Sequence, residues 1–595
     1  MSHTFHIPVL GLGYSVDTPL KVARYGISST VSIVDDELIE RMREYHSKQN
    51  NIVYQAIKKT DIDYRAKRIT AYLNLLNELV DKQFGILQNQ NFDPGSDICR
   101  YFDLLPHNCP ASKLYQQMLA EDGHEDKALF QNLLKTYLKK GAIDVNIMAK
   151  VDKMNYGKDG ISLGEKFTDA LASLRGFAES NLDSSVVLSA GMNPKLYTYL
   201  SEFPDFYPSL YLPAKKKIIL KVSDFRSALI QAKFLAKKGL WVQEFRIESG
   251  LNCGGHAFAT DGFLLGPILE EFKQKREMML NELYALYHPV IKEKTGLDPV
   301  QPSTKITVQG GIGTSEENEF LTQYYQLDGT GWGSPFLLVP EATNVDESTL
   351  HCLKEAVEND FYISSASPLG IPFNNFKKSS SEALRIERIT KGRPGSPCTK
   401  KFLVSNTEFT KEPICTASRE YQKLKIEQLG GLSLPEEEFK RLYNDVVEKV
   451  CLCQGLCTSA YLKNDILKAK ENKAVAICPG PNTAYFSKIY SLDEMVKHIY
   501  GKINLLSQTP RPHIFINELK LYVDYLKKDI EKSVFNYSEK NIKRLQNFKA
   551  ELLKGIEYYR SILPEIKLKS IKQMEDALLR FEGEIEGLGL VSNRD

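Results

Sequence analysis

No run of about eighteen or more apolar residues occurs anywhere in the chain, so the sequence pattern offers no helical membrane span. The opening MSHTFHIPVLGLG lacks a basic segment followed by an apolar stretch and a small-residue cleavage site. No secretory leader is therefore expected, and a cytoplasmic location is the default. Neither sign of charge dominates: 77 basic and 75 acidic residues leave a formal charge of +2. With no basic patch standing out, no nucleic-acid partner is expected. Ten cysteines in 595 residues are too few for a secreted disulfide scaffold, but seven of them follow residue 350. Hydrophobic residues make up 42% and charged residues 26%, a balance that can bury a large core and does not favour disorder.

What is present is strand–helix alternation. IPVLGLG at 7–13 reads as a buried strand running into a glycine-rich turn, and STVSIVDD at 29–36 as a second strand. TPLKVARYG between them supplies a helix, with Pro19 suited to its first turn. Residues 37–142 then turn to helical periodicity, as in YRAKRITAYLNLLNELVDKQF, and are too long for an ordinary connection. They read as an inserted helical subdomain. Strand signals resume at 143–151, 184–191, 216–224, 242–249, 304–311 and 322–329, with helices expected at 227–239 and 264–288. Apolar rather than alternating strands mean a buried parallel sheet, and eight of them favour a closed (β/α)₈ TIM barrel. The barrel thus spans 1–36 and 143–400. From 401 to 595 the chain reads as a cysteine-containing helical extension, with long amphipathic helices at 514–556 and 562–586. That extension is expected to pack on the barrel as a cap, and a homodimer through it is left open.

Chemistry is expected where glycine-rich segments follow strands, because that end of such a barrel presents loop amides and helix N-termini to phosphate. In GLNCGGHAF at 250–258, Gly254 and Gly255 allow close backbone approach, and His256 is placed to donate or abstract a proton. The bland reading is a structural histidine in a tight turn. In VQGGIGTSEE at 308–317, Gly310, Gly311 and Gly313 form an anion-binding turn, or serve turn geometry alone. In LDGTGWGSPF at 327–336, Gly329, Gly331 and Gly333 precede Ser334, whose hydroxyl suits phosphate. Gly11 in the first turn joins this cofactor-binding set. Lys150 and Lys221 end two strands, where each could counter negative charge or simply face solvent. Cys253 reads either as a ligand contact or as a small buried residue.

These segments together resemble the nitronate monooxygenase (2-nitropropane dioxygenase) family, which includes FMN-dependent enoyl-acyl-carrier-protein reductases and reductase subunits of polyunsaturated fatty acid synthases. The resemblance rests on CGGH at 253–256, GGIG at 310–313, GSPF at 333–336, the start IPVLGLGYSVDTPLKVARYGISS at 7–29, Asn146 in IDVNIM and GRPGSP at 392–397. It implies FMN, with Gly311, Gly313, Gly333 and Ser334 at its phosphate and Asn146 and Lys221 nearer the ring. It implies that His256 is the base of a nitronate oxidase or the proton donor of an enoyl reductase acting on a small organic or acyl substrate, the latter with NAD(P)H as electron donor. Pro335 stands where the family has arginine, and the insertion and the extension lie outside the family pattern.

Two alternatives stay open on the residues. Cys451, Cys453 and Cys457 in CLCQGLC, with Cys415 and Cys478, could hold an iron–sulfur cluster, although the spacing matches neither the ferredoxin run nor zinc CxxC pairs. Otherwise the chain has no metal site and these are reduced structural thiols. A non-redox phosphate-binding barrel enzyme or scaffold would share the phosphate loops without needing His256.

Overall fold

The structure, a computed structural model, describes residues 3–121, 123–147, 152–157, 160–189, 191–209, 212–257, 261–296, 298–506, 509–533, 538–566 and 571–589. Eight parallel strands close into a barrel in chain order. They are β1 (Phe5–Ile7), β2 (Ser28–Ser32), β3 (Ile143–Ile147), β4 (Ser184–Leu188), β5 (Lys216–Val222), β6 (Val242–Glu248), β7 (Lys305–Gln309) and β8 (Gly329–Gly331). Closure is made by β8 pairing with β1, where Phe5 lies beside Thr330 and His6 beside Gly331. A separate antiparallel hairpin, β9 (Phe361–Ser364) and β10 (Phe373–Phe376), follows the barrel.

The expected strands are present, but several are shorter or shifted. β1 ends at Ile7 rather than 13, because Pro8 has no N–H to continue the ladder. β2 ends at Ser32, because Asp35 caps the next helix by accepting from the amides of Glu37 and Leu38. The last strand is not 322–329 but Gly329–Gly331; Thr322–Tyr324 ends the helix Ser315–Tyr324. Glycine is required here, since a Cβ on Gly329 would lie 2.6 Å from the Thr4 carbonyl oxygen and one on Gly331 2.6 Å from Gln309 Cβ. A Gly-Thr-Gly strand carries no hydrophobic signal, whereas the neighbouring Tyr324–Tyr325 pair belongs to an aromatic cluster with Phe320 and Phe515.

Among the described residues, 37–142 carry five helices, beginning with Asp36–Gln49 and Tyr64–Gln88. The second lies on the outer helix Asp169–Ala178, close enough that a Cβ on Gly176 would meet the Ala66 carbonyl oxygen at 2.7 Å. Arg65 and Arg68 clamp both oxygens of buried Asp36 at 2.9 and 2.8 Å. In the C-terminal region the single helix expected over 514–556 is two, Ile514–Ser533 and Glu539–Ile562, the second capped by Ser538. A third, Ile571–Gly587, packs on both. Among the described residues, no helix is long and apolar enough to cross a membrane.

Candidate active site at the barrel mouth

The barrel interior is polar along one line. Arg246 reaches Glu244 at 2.8 Å and Asp144 at 3.2 Å, all three on inward positions. Burial opposes the charge on Glu244, but the Arg246 guanidinium outweighs it and holds the carboxyl near about 2. Burial, with the positive charge of Arg246, pushes His6 down to about 3, so it is neutral. Towards the mouth, His6 Nε2 donates to Gln309 Oε1 at 3.4 Å, and Gln309 Nε2 donates to Glu248 Oε1 at 2.7 Å. Glu248 Oε2 in turn pairs with Lys221 Nζ at 2.9 Å. Side chains alternate along a strand, so Asn146, two residues beyond Asp144, shares the inward face. Asn146, Lys221 and Glu248 are each only partly buried. The structure therefore brings Asn146 and Lys221 to the same opening. Ser189, just beyond β4, adds a buried hydroxyl with no hydrogen-bond partner among the described residues. Lys150 lies outside the described residues.

The loop after β6 is held from two sides. Gly254 and Gly255 have φ of 124° and 83°, conformations that exclude most side chains. A Cβ on Gly254 would lie 2.2 Å from the Cys478 carbonyl oxygen, which also accepts from Gly255 N at 3.1 Å. On the other side of the loop, β10 approaches: Asn374 N donates to Gly255 O at 2.9 Å, and Ala257 N to Pro372 O at 2.8 Å. Asn252 knits the turn, accepting from Gly254 N and Asn374 Nδ2 and donating to His256 O. His256 is partly exposed. Its Nε2 lies 2.7 Å from Ser367 Oγ, and its ring stands edge-on to Phe373 with centroids 5.2 Å apart. Space beside Gly255 is open, with nothing within 4 Å of a Cβ built there.

The loops after β7 and β8 are neighbours because those strands pair. Part of their expected phosphate-binding capacity is already used by the chain itself. Gly313 N donates to Glu317 Oε2 at 2.8 Å, and Ser334 Oγ donates to Cys253 O and accepts from Gly480 N. Buried Arg511 braces the turn, bonding Glu317 Oε1, Gly311 O and Asn482 Oδ1. Gly331 packs on His6 and Gln309, and Gly333 on Cys253, so these glycines serve close packing. What is left is backbone. Among the described residues, no acceptor is found for the amide N–H of Gly311, Ile312, Gly333 or Ser334, all in buried residues. A buried donor left unmade costs about 1–3 kcal/mol, and unpaired buried amides are rare in folded proteins. These four fit an anion, and with the open side at Gly255 and the unpaired Ser189 hydroxyl the mouth fits a phosphate-bearing group such as FMN.

The cysteines sit in several different surroundings. Cys478 lies beside Gly11, 3.9 Å from a Cβ built there, and burial pushes its thiol up to about 12. Cys457 Sγ donates to buried Asp35, which also pairs with Lys400. Burial likewise raises the Cys253 and Cys453 thiols. Cys415 is hydrogen-bonded to Cys398, a bond that brings Cys398 down to about 7. Among the described residues, no group of three or more His, Cys, Asp or Glu side chains is arranged to hold a metal ion.

Ser367, Phe373, Asn252, Glu248 and Gln309 are rim residues that sequence reading missed. Ser367 is 111 positions from His256, and no local pattern marks it. Gln309 and Glu248 could have been found as polar ends of apolar strands. A cleft of about 480 Å³, lined by Leu251, Tyr362, Pro372, Tyr485 and Tyr525 among others, opens beside the His256 loop between the β9–β10 hairpin and helix Ile514–Ser533.

No family model and no curated protein matches the chain. Solved structures that align with it include FabK from Thermotoga maritima, at 12% identity and a TM-score of 0.31 over 69% of this chain and 86% of that one. The enoyl reductase domain of MlnA from Bacillus amyloliquefaciens aligns at 14% identity and a TM-score of 0.34, over 76% and 89%. Nitroalkane oxidase from Streptomyces ansochromogenes aligns at 9% and 0.35, over 85% and 96%. The fold assignment rests on the strand pairing of the barrel rather than on these alignments.

Proposed function

We propose that the chain is an FMN-dependent oxidoreductase acting on a small organic or acyl substrate. The observation that carries this reading is that the amides of Gly311, Ile312, Gly333 and Ser334, on the two loops beyond β7 and β8, have no acceptor among the described residues. In a closed parallel barrel those loops form the usual phosphate site. The four amides would hold the phosphate, and Asn146, Lys221 and Gly255 would face the rest of the group. Bound FMN supplies hydride and electron transfer; the protein supplies binding, orientation and proton handling.

The residues divide that work. The Glu248 carboxylate holds the Lys221 ammonium at the opening, where its remaining N–H groups would donate to a bound group. Gln309 keeps Glu248 in place from below. His256 stands at the rim, fixed by its main chain on both flanks, and offers a ring nitrogen for holding a proton near substrate. The tyrosine-lined cleft beside its loop is where an elongated or acyl substrate would lie.

The test is a visible spectrum of protein purified without oxygen, followed by heat release of its cofactor. Structured flavin bands and released FMN are expected. Reduction by NADH or NADPH would then mark a reductase, and reduction by substrate with reoxidation by oxygen an oxidase. A colourless protein that fails to bind added FMN would overturn the proposal.

A further inference from the structure

Two thiols beyond the barrel are placed to react with each other. The chain runs out through Cys398 and returns through Cys415. Two pieces of backbone pairing hold the outgoing and returning segments side by side. Ser396 N donates to Ala417 O at 3.0 Å, and Ser396 O accepts from Arg419 N at 2.9 Å. Asn406 and Ile414 exchange both of their hydrogen bonds, at 3.0 and 2.8 Å. Cys398 follows the first pairing closely, Cys415 directly follows the second, and the Cys415 thiol donates to Cys398. Both are free cysteines, Cys398 partly exposed and Cys415 buried. Cys398 also has φ of 53°, in the left-handed region that residues other than glycine seldom adopt.

The two sulfurs are unequal. The hydrogen bond from Cys415 favours charge on Cys398, as do the Lys401 amide and the Lys401 and Lys153 ammonium groups. Together they bring the Cys398 thiol down to about 7, although burial opposes this. Near neutral pH about half of it is then thiolate, the nucleophilic form, against a few per cent of an ordinary cysteine. The same hydrogen bond, with burial, raises Cys415, which keeps its proton. Cys453 is close enough to act on Cys415, but burial raises its thiol as well, so it is a poor nucleophile. A partly exposed thiolate beside a protonated thiol is the pairing that thiol–disulfide exchange uses.

The segment between the two is fastened to the barrel. Lys400 pairs with Asp35, which caps the helix after β2. Phe402 closes a small cavity with Ile33, Val34 and Ile147, beyond β2 and at the end of β3. Past Cys415, Thr416 Oγ1 donates to Pro368 O at 3.0 Å.

We propose that Cys398 and Cys415 form a reversible disulfide by exchange with small-molecule disulfides of the glutathione class, and that the bond locks residues 399–414 against the β2 side of the barrel. The Cys398 thiolate attacks one sulfur of the incoming disulfide, whose other half leaves as a thiolate. Cys415 then gives its proton to that thiolate and attacks the Cys398 sulfur, expelling the second half. The protein pair loses two electrons and two protons, and the small disulfide leaves as two thiols. No cofactor takes part, so the exchange is independent of flavin.

The experiment is to incubate the intact protein with oxidised glutathione, trap the remaining thiols by alkylation and map the cysteines by mass spectrometry. A link between Cys398 and Cys415 is expected, and reduced glutathione should reopen it. In Cys415→Ala the reaction should stop at a mixed disulfide, with glutathione kept on Cys398. In Cys398→Ala, Cys415 should stay a free thiol. Closing a loop restricts the open states of the chain it spans, so trypsin should cut after the exposed Lys401 and Lys411 at least about tenfold more slowly in the oxidised protein. Absence of the link in the unaltered protein overturns the proposal, and needs no variant to fold. Pairing of Cys398 with Cys451 or Cys453 in place of Cys415 also overturns it. Equal trypsin rates in the two forms overturn the lock.

Discussion

The two helical additions to the barrel look alike in sequence and do opposite things. Residues 37–142 pack on the barrel's side: Tyr64–Gln88 lies against an outer helix, and its Arg65 and Arg68 hold Asp36, with Arg65 also bonding Val34 O and Ser173 and Arg68 bonding Ile57 O. The C-terminal region instead builds the mouth. The Cys478 carbonyl, Gly480, Asn482 and Arg511 fasten the loops beyond β6, β7 and β8. Glu518 accepts from Gly250 N and Leu265 N at 2.7 Å each, at the two ends of the His256 loop. The lesson is that a helical extension joins the chemistry when its irregular segments, rather than its helices, meet the rim.

The largest effect expected at the rim is that of His256→Ala. It should lower turnover by about 10²–10⁴-fold, the usual contribution of a positioned proton-handling group, with flavin retained. Loss of flavin and fold together would make His256 structural and weaken the contrast. Next is Arg511→Ala, which leaves buried Glu317 without its partner. It should cost about 3–5 kcal/mol in denaturant unfolding and also loosen FMN, because Arg511 braces the Gly311 carbonyl. Arg68→Ala in the insertion is the matched control. It should destabilise by about 1–3 kcal/mol while FMN content stays unchanged, since Arg65 still holds Asp36. If FMN affinity fell there too, the insertion would belong to the site after all.

Gly311→Val sharpens the claim for the amides. The residue has φ of 82°, and a Cβ would sit 2.4 Å from Leu251 Cδ1. Weaker FMN retention is expected, and unchanged affinity by fluorescence titration would contradict the anion site.

The smallest effect concerns pH. Burial raises the Glu518 carboxyl from 4.5 to about 7 against the pull of its two backbone donors. A folded-state value above the unfolded one means the native protein binds more protons between those limits, so this contribution to stability is full below 4.5 and declines as pH rises through about 7. Glu518→Gln, which cannot ionise, should therefore lie furthest below the parent in stability near pH 5. The gap should narrow towards pH 8 in urea unfolding, and a constant gap would remove Glu518 as the titrating group.

Much of the fold was legible because apolar strand runs and glycine turns are local signals. The strands near 184, 216, 242 and 305 and the rim position of CGGH follow from them. The short β8 was not legible, since its Gly-Thr-Gly sequence answers to the closeness of Thr4 and Gln309, residues far along the chain. For the same reason the glycine loops beyond β7 and β8 were only partly legible. Glycines at 310–313 and 331–333 marked the turns, but whether an amide is free depends on what packs against it, and Glu317, Gly480 and Arg511 decide that.

By itself the sequence determined the repeated strand–helix units, the absence of a long apolar span, and the placing of glycine and histidine just beyond strands, because each depends on neighbours a few residues apart. Tertiary structure alone decided which loop amides lack an acceptor among the described residues, that Cys457 meets Asp35 and Cys478 lies beside Gly11, and that Ser367 meets His256. Those outcomes depend on which distant carbonyls and side chains the closed barrel brings within about 3 Å, the range over which a hydrogen bond acts.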